Sequence, residues 1–156
     1  MRFDEAFTVP IPRDSVWEFF QDIPRVAACV PGVEKVSVVD DSVSRVRVTQ
    51  RVGSLFATFD LKMAITEKRP VEYIEFSAVG RTVKGASGTL RAKNEVRFEE
   101  AAQGTEIQLS SDVALGGMLG SMGRNVVASK AKEVTDAFAR ALQAEMEGWT
   151  GPAPSG

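Results

Sequence analysis

Apolar and polar residues alternate through the middle of the chain, and toward both ends the spacing becomes helical. In 43–52 the even positions hold Val46, Val48, Gln50 and Val52, and the odd positions hold Arg45, Arg47, Thr49 and Arg51. In 55–66, Leu55, Ala57, Phe59, Leu61, Met63 and Ile65 alternate with Phe56, Thr58, Asp60, Lys62, Ala64 and Thr66. A period of two is that of a strand with one buried face. Gly53-Ser54 lies between the two runs as a two-residue hairpin loop, with glycine first as a type II′ turn requires. Pairing Val52 with Leu55 sets Val48 opposite Phe59, Val46 opposite Leu61 and Arg47 opposite Asp60. Both apolar sets then share one face, so turn and pattern predict the same register.

The same period recurs on either side. A first strand is predicted over 2–10, with Phe3, Phe7 and Val9 on one parity and Glu5 among them. In 33–39, Val36 and Val38 share a face. A strand over 72–80 turns Ile74, Phe76 and Ala78 inward and Tyr73 outward, and 80–88, with three glycines and two basic residues, reads as a loop. Leu90, Ala92, Asn94, Val96 and Phe98 form the next inward set. After a turn at Ala101-Ala102-Gln103-Gly104, Thr105, Ile107, Leu109, Ser111, Val113 and Leu115 form the last. This hairpin places Phe98 opposite Ile107 and Asn94 opposite Ser111.

Helical spacing comes first at Val16, Trp17, Phe19 and Phe20, with Pro12 in the first turn. Asp22 is placed to cap a second short helix over 23–28 that has Pro24 in its first turn, and Pro31-Gly32 stops it. Near the other end one long helix is predicted from Met118 to Met146, opened by Gly116, Gly117, Gly120 and Gly123. Val127, Ala131, Val134, Phe138, Ala141 and Leu142 make its apolar stripe, with Lys130, Lys132, Glu133, Asp136, Arg140 and Glu145 mostly on the wet side.

The order is strand, two short helices, about six antiparallel strands and one long helix, an α+β arrangement. Meander hairpins exclude a doubly wound fold. A curved antiparallel sheet of about seven strands, with the long helix in its concavity, satisfies every apolar stripe and leaves a cavity between helix and sheet. Residues 1–147 form one ligand-binding domain in this reading, and 148–156, rich in Gly, Pro, Ala and Ser, a tail or a truncated linker.

Composition removes most chemistry. The chain has no histidine, which excludes His-based acid–base catalysis, catalytic triads and nearly all zinc and haem sites. It has one cysteine, so neither an internal disulfide nor a thiolate cluster can form. Lys and Arg number 19 and Asp and Glu 21, a net charge of −2, without the basic excess of a nucleic-acid binder. No apolar run reaches the length of a membrane span, and the N-terminus has no signal pattern, so a cytoplasmic protein is expected.

Three local words narrow the fold. Val16-Trp17 in the first helix, Ala28-Cys29-Val30-Pro31-Gly32-Val33 before the second strand, and Leu119-Gly120-Ser121-Met122-Gly123 at the last helix resemble the CoxG family of carbon monoxide dehydrogenase subunits, over residues 1–147. The element order is similar to the helix-grip fold of START and Bet v 1 proteins. The resemblance implies a non-catalytic accessory protein of a molybdenum hydroxylase-type carbon monoxide dehydrogenase. It implies a place at the inner face of the cell membrane and a link from that enzyme to the quinone pool. Many relatives carry a C-terminal extension that would attach them to the membrane. Here only Gly148 to Gly156 follow, so attachment would use a segment absent from this chain.

The expected ligand is a long apolar molecule, a menaquinone- or ubiquinone-like isoprenoid quinone or another lipid, with no covalently held cofactor. Its pocket is expected to draw on Phe7, Phe59, Met63, Phe76, Phe98, Met118 and Met122. Val48, Leu61, Leu90, Val96, Leu109 and Val113 join them from the strands, and Leu119, Val126 and Val127 from the helix start. Asn94 and Ser111 either bond each other or offer a polar end to a carbonyl-bearing ligand; Gln50 and Glu5 are weaker members of that class. The glycines of 116–123 either pack closely or form a gate that leaves Met118, Leu119 and Met122 partly exposed. Cys29, in an apolar setting, reads as structural. Arg45, Arg47 and Arg51 read as a solvated outer face. Two other readings stay open: an assembly or membrane-recruitment factor with a filled core, and a cyclase- or hydrolase-like enzyme using Glu5 or Tyr73.

Overall fold

In a computed structural model, which describes residues 1–148, the elements run β1 (Arg2–Val9), α1 (Arg13–Gln21), α2 (Ile23–Ala27), β2 (Val33–Asp40), β3 (Val43–Val52), β4 (Leu55–Arg69), β5 (Tyr73–Gly85), β6 (Thr89–Ala101), β7 (Gly104–Gly116), α3 (Gly117–Gly120) and α4 (Arg124–Glu147). The strands form one antiparallel sheet in the order β1-β7-β6-β5-β4-β3-β2. α1 and α2 carry the chain between its two edges. The tail expected over 148–156 lies, from residue 149 on, outside the described residues.

The predicted registers are those observed. Val52 pairs with Leu55, Val48 with Phe59, Val46 with Leu61 and Arg47 with Asp60 across β3–β4. Phe98 pairs with Ile107 and Asn94 with Ser111 across β6–β7. Two features set the first: Gly53 at φ +62°, and the alternation that buries Val46, Val48 and Val52 on one side. Asp22 caps α2, its carboxylate accepting from Arg25 N–H at 3.2 Å. Pro12 lies just before α1 rather than within its first turn.

Three expectations are corrected. Residues 80–85 are not loop: β5 pairs with β4 as far as Ala57–Gly85, and only 86–88 turn. A Cβ built on Gly80 would sit 2.0 Å from the Asp60 carbonyl oxygen, so this glycine permits a close strand approach rather than a turn. The long helix is broken into α3 and α4. Gly123 at φ +100° cannot continue a right-handed helix, so the last helix starts at Arg124. Val38 keeps the face of Val36 as expected, pairing with Ser44 as Val36 does with Val46, and near the end of the edge strand β2 it is 64% exposed. Lys130 is not on the wet side: its side chain is 21% exposed.

Tyr73 keeps its outward parity yet is buried. Arg69 and Arg97 stack over its ring at 4.4 and 4.9 Å, and its hydroxyl donates to Glu75 at 3.1 Å and Glu95 at 2.9 Å. Burial and these two carboxylates hold its phenol far above the usual range. Two flanking guanidiniums have replaced water on the outer face.

Candidate functional site

The inner face of the sheet is divided along the strands. At the end nearer α1 it is filled. Trp17 and Phe20 of α1 meet Phe98 of β6 edge-on, at 5.9 and 5.1 Å between ring centroids, and Phe20 lies 6.3 Å from Phe76 of β5. Leu109, Leu142 and Met146 are fully buried in the same core. Toward the other end α2 still meets β2, β3 and β4, but the space between the sheet and α4 is not filled. A cavity of about 160 Å³ remains.

Its sheet wall is apolar. Val46, Val48 and Val52 come from β3, Phe59, Leu61 and Met63 from β4. Ala78, Leu90, Ala92, Val113 and Leu115 continue it across β5, β6 and β7, and Val30 adds to it after α2. The helix wall is Val127, Lys130, Ala131, Val134, Thr135 and Phe138. The small side chains of Ala78 and Ala92 explain why there is space in the middle of the sheet.

Few polar groups enter. Ser111 donates its hydroxyl to Asn94 Oδ1 at 2.6 Å, so the pair satisfies itself on that side, and the two N–H donors of the Asn94 amide find no partner among the described residues. Gln50 donates to the Pro31 carbonyl, which leaves its own carbonyl oxygen for the cavity. Thr135 donates to the Ala131 carbonyl at 2.9 Å within α4. Lys130 Nζ lies 3.6 Å from Glu133 and is the cation of the wall. The described residues of the wall include no carboxylate, phenol or thiol.

Nine of the residues expected at the site line the cavity: Val48, Phe59, Leu61, Met63, Leu90, Asn94, Ser111, Val113 and Val127. Nine do not. Phe76, Val96, Phe98 and Leu109 have the inward parity but belong to the filled half. Phe7 faces a separate open cleft between β1 and α4. Leu119 is fully buried, not partly exposed as a gate would have it. Met122 is half-buried, and Met118 and Val126 are 51% and 40% exposed outside the cavity. Parity tells which face a residue is on, not how far along the strand the covering helices extend. The α4 residues Ala131, Val134 and Phe138 were visible as an apolar stripe but missed as cavity wall; Lys130 had no apolar signal.

Glu5 lies in the cleft between β1 and α4, with Lys132 Nζ 3.8 Å away and 2.9 Å from Asp136. A hydrogen bond with Asp136, then partial burial, raises the Glu5 carboxyl, and the same bond lowers Asp136. This carboxylate is not in the cavity wall.

Cys29 is 8% exposed, and burial, reinforced by Glu145, pushes its thiol up to about 11. The neutral thiol is therefore the native form. Its preference adds stability that is full below the thiol's unfolded pKa and is lost as pH rises through about 11. At pH 8 Cys29 is expected to react with a thiol reagent only as fast as the protein opens, and at the free-thiol rate in urea. Rapid labelling of the native protein would contradict its burial.

The family model of CoxG, a carbon monoxide dehydrogenase subunit, matches residues 6–147. No curated protein sequence matches the chain. Among solved structures, a conserved protein from Geobacillus kaustophilus is 14% identical with a TM-score of 0.79, covering 94% of this chain and 95% of its own. The Zhui aromatase/cyclase from Streptomyces sp. R1128 is 18% identical with a TM-score of 0.68, covering 94% of this chain and 93% of its own. A START superfamily protein from Mycobacterium smegmatis is 14% identical with a TM-score of 0.67, covering 94% and 97%. At these identities the likeness is one of fold, the START/Bet v 1 helix-grip arrangement. No helix of the described residues is long and apolar enough to cross a membrane.

Proposed function

The chain belongs to the CoxG family of carbon monoxide dehydrogenase subunits, and from that premise we propose that it is a non-catalytic carrier. It holds an isoprenoid quinone by the ring in the helix–sheet cavity and so links a molybdenum-type carbon monoxide dehydrogenase to the quinone pool of the membrane. The observation that carries this reading is the cavity: apolar walls, unused N–H donors on Asn94, and one cation, Lys130. An apolar ring with carbonyl oxygens at its edge matches that lining. Asn94 and Lys130 donate to the oxygens, and Val48, Phe59, Leu61 and Val134 enclose the ring.

Size decides how the ligand sits. An apolar cavity of about 150 Å³ takes one benzene-sized molecule, and this one measures about 160 Å³. It accommodates the ring, and the isoprenoid tail leaves by the mouth. Burying a ring of about 150 Å² at ~25 cal/mol per Å² is worth about 4 kcal/mol, a roughly millimolar affinity. Tail contacts must supply the rest. Titrating the protein with a tail-less quinone and with one bearing several isoprene units, read by Trp17 fluorescence or calorimetry, should show at least a tenfold tighter constant for the second. Equal affinities, or no binding by either, would overturn the reading.

The cyclase-like alternative needs an acid or base at the cavity. The two groups that offered one stand elsewhere, Tyr73 on the outer face and Glu5 in the β1–α4 cleft. An assembly factor with a filled core is disfavoured by the open half of the inner face.

A further inference from the structure

The charges are sorted along the sheet, although the whole chain carries only −2. No acidic residue occurs in 42–59, in 76–94 or in 113–132, whereas Arg51, Lys84, Arg124 and others do. These segments bring three turns together at one end of the sheet: 53–54, 86–88 and 116–123. Leu119 N–H donates to the Ser87 carbonyl at 3.2 Å. A Cβ built on Gly117 would lie 3.0 Å from Gly88 Cα, and one on Gly53 would lie 3.3 Å from Met122 Cε and 3.7 Å from Val126 Cγ1. The cavity reaches this end, since Val52 and Leu115 of its wall directly precede two of the turns, Leu90 follows the third by two residues, and Val127 N–H donates to the Gly123 carbonyl at 3.2 Å. Acidic residues gather at the opposite end: Asp14 and Glu18 on α1, Glu72 at the β4–β5 turn, Glu99 and Glu100 near the end of β6.

Four of the seven large apolar side chains that stand in water among the described residues are at this basic end; Val38 and Val39 on β2 and Val79 on β5 are not. Phe56 is 51% exposed, Val83 49%, Met118 51% and Val126 40%. Arg51, Lys84 and Arg124 are exposed among them, and among the described residues none of the three is in an ion pair. Arg51 pairs directly with Phe56 across β3–β4. The apolar groups are spread over separate tips rather than joined in one face. A rigid protein partner would be met by a contiguous patch; scattered apolar tips between cations suit a fluid interface whose acyl boundary takes the tips and whose anionic headgroups take the charges.

We propose that this end of the domain docks directly on an anionic lipid bilayer, with Phe56, Val83, Met118 and Val126 entering the interface and Arg51, Lys84 and Arg124 on the headgroups. The proposal rests on the quinone reading only for its consequence, that the cavity mouth then faces the membrane. The docking itself requires no ligand.

The test is flotation of the full chain with vesicles of phosphatidylcholine alone or mixed equally with phosphatidylglycerol. Binding is expected to the mixed vesicles only and to fall as salt rises. Phe56→Glu with Val83→Glu, and separately Arg51→Glu with Arg124→Glu, should each lower the bound fraction at least about tenfold, while Val38→Glu with Val39→Glu on β2 should leave it unchanged. Circular dichroism and quinone uptake from detergent report that each variant is folded. Absence of flotation, or equal flotation by the end-turn variants, overturns the docking and leaves the cavity reading standing. So does a loss confined to binding of the dehydrogenase, which would mark this end as a protein contact. Ala92→Phe, which closes the cavity, should still float; its failure would mean that bound quinone, not the tips, holds the protein on the bilayer.

Discussion

Ala92→Phe is expected to abolish quinone uptake while the melting temperature stays within a few degrees of the parent. Ala92 sits in the middle of the inner face, between Ala78 on β5 and Val113 on β7, and all three line the cavity. A phenyl ring there enters empty volume and gains apolar contact, so it takes the ligand's place at little cost to the fold. Leu109→Trp should do the reverse. Leu109 is 1% exposed in the filled half, where overpacking typically costs about 1–3 kcal/mol, and it leaves the cavity's volume alone. Ligand uptake and thermal melting on the two variants check this. Comparable loss of both properties in both variants would show that the inner face is not divided.

Phe98→Ala is expected to be among the most destabilising single changes in the chain, by about 3–5 kcal/mol. Phe98 is 2% exposed and is held edge-on by Trp17 and Phe20. Its removal leaves a hole that three elements must collapse to fill. Phe59→Ala should cost less, because Phe59 has the cavity on one side and so fewer packing partners to lose. Denaturant unfolding of both, with the slopes compared, gives the difference. A Phe59→Ala variant as unstable as Phe98→Ala would contradict an open space beside Phe59.

The fold was legible because each hairpin carried two agreeing signals. Gly53-Ser54 and the alternation on either side of it could be joined in only one register, and the Asn94–Ser111 pairing followed in the same way. Where a single signal stood alone it misled. Glycine at Gly80 and Gly85 read as a loop, yet Gly80 is a point of close strand approach across from Leu61, an approach that depends on sheet curvature. The apolar and glycine content of 116–123 read as the opening of one helix; the positive φ of Gly123 that breaks it has no pattern of its own. That φ also decides the fate of a stiffening change. Gly120→Ala with Gly123→Ala should destabilise the protein rather than tighten a gate. A Cβ on Gly120 would lie 2.6 Å from the Leu115 carbonyl oxygen, and Gly123 holds a backbone that alanine disfavours. Thermal melting checks it, and a stabilised double variant would contradict the assigned backbone.

The site was half legible for a similar reason. Inward parity is a local property and was read correctly for Val48, Phe59, Leu61, Asn94 and Ser111. Whether an inward residue meets a helix or a void depends on where α1 ends and how far α4 stands from the sheet, and both are set by packing among distant residues. Phe76, Val96, Phe98 and Leu109 were therefore placed in the pocket when they belong to the core. Lys130 has no signal of its own, since a lysine beside an apolar helical stripe reads as its wet border.

The central claim, that the cavity carries a quinone, is tested most directly by native mass spectrometry of the freshly purified protein, with organic extraction of the same sample. The expected result is one isoprenoid quinone per chain in the parent and none in Ala92→Phe. Repeated recovery of no quinone or lipid from the parent, or equal recovery from the two proteins, would contradict it.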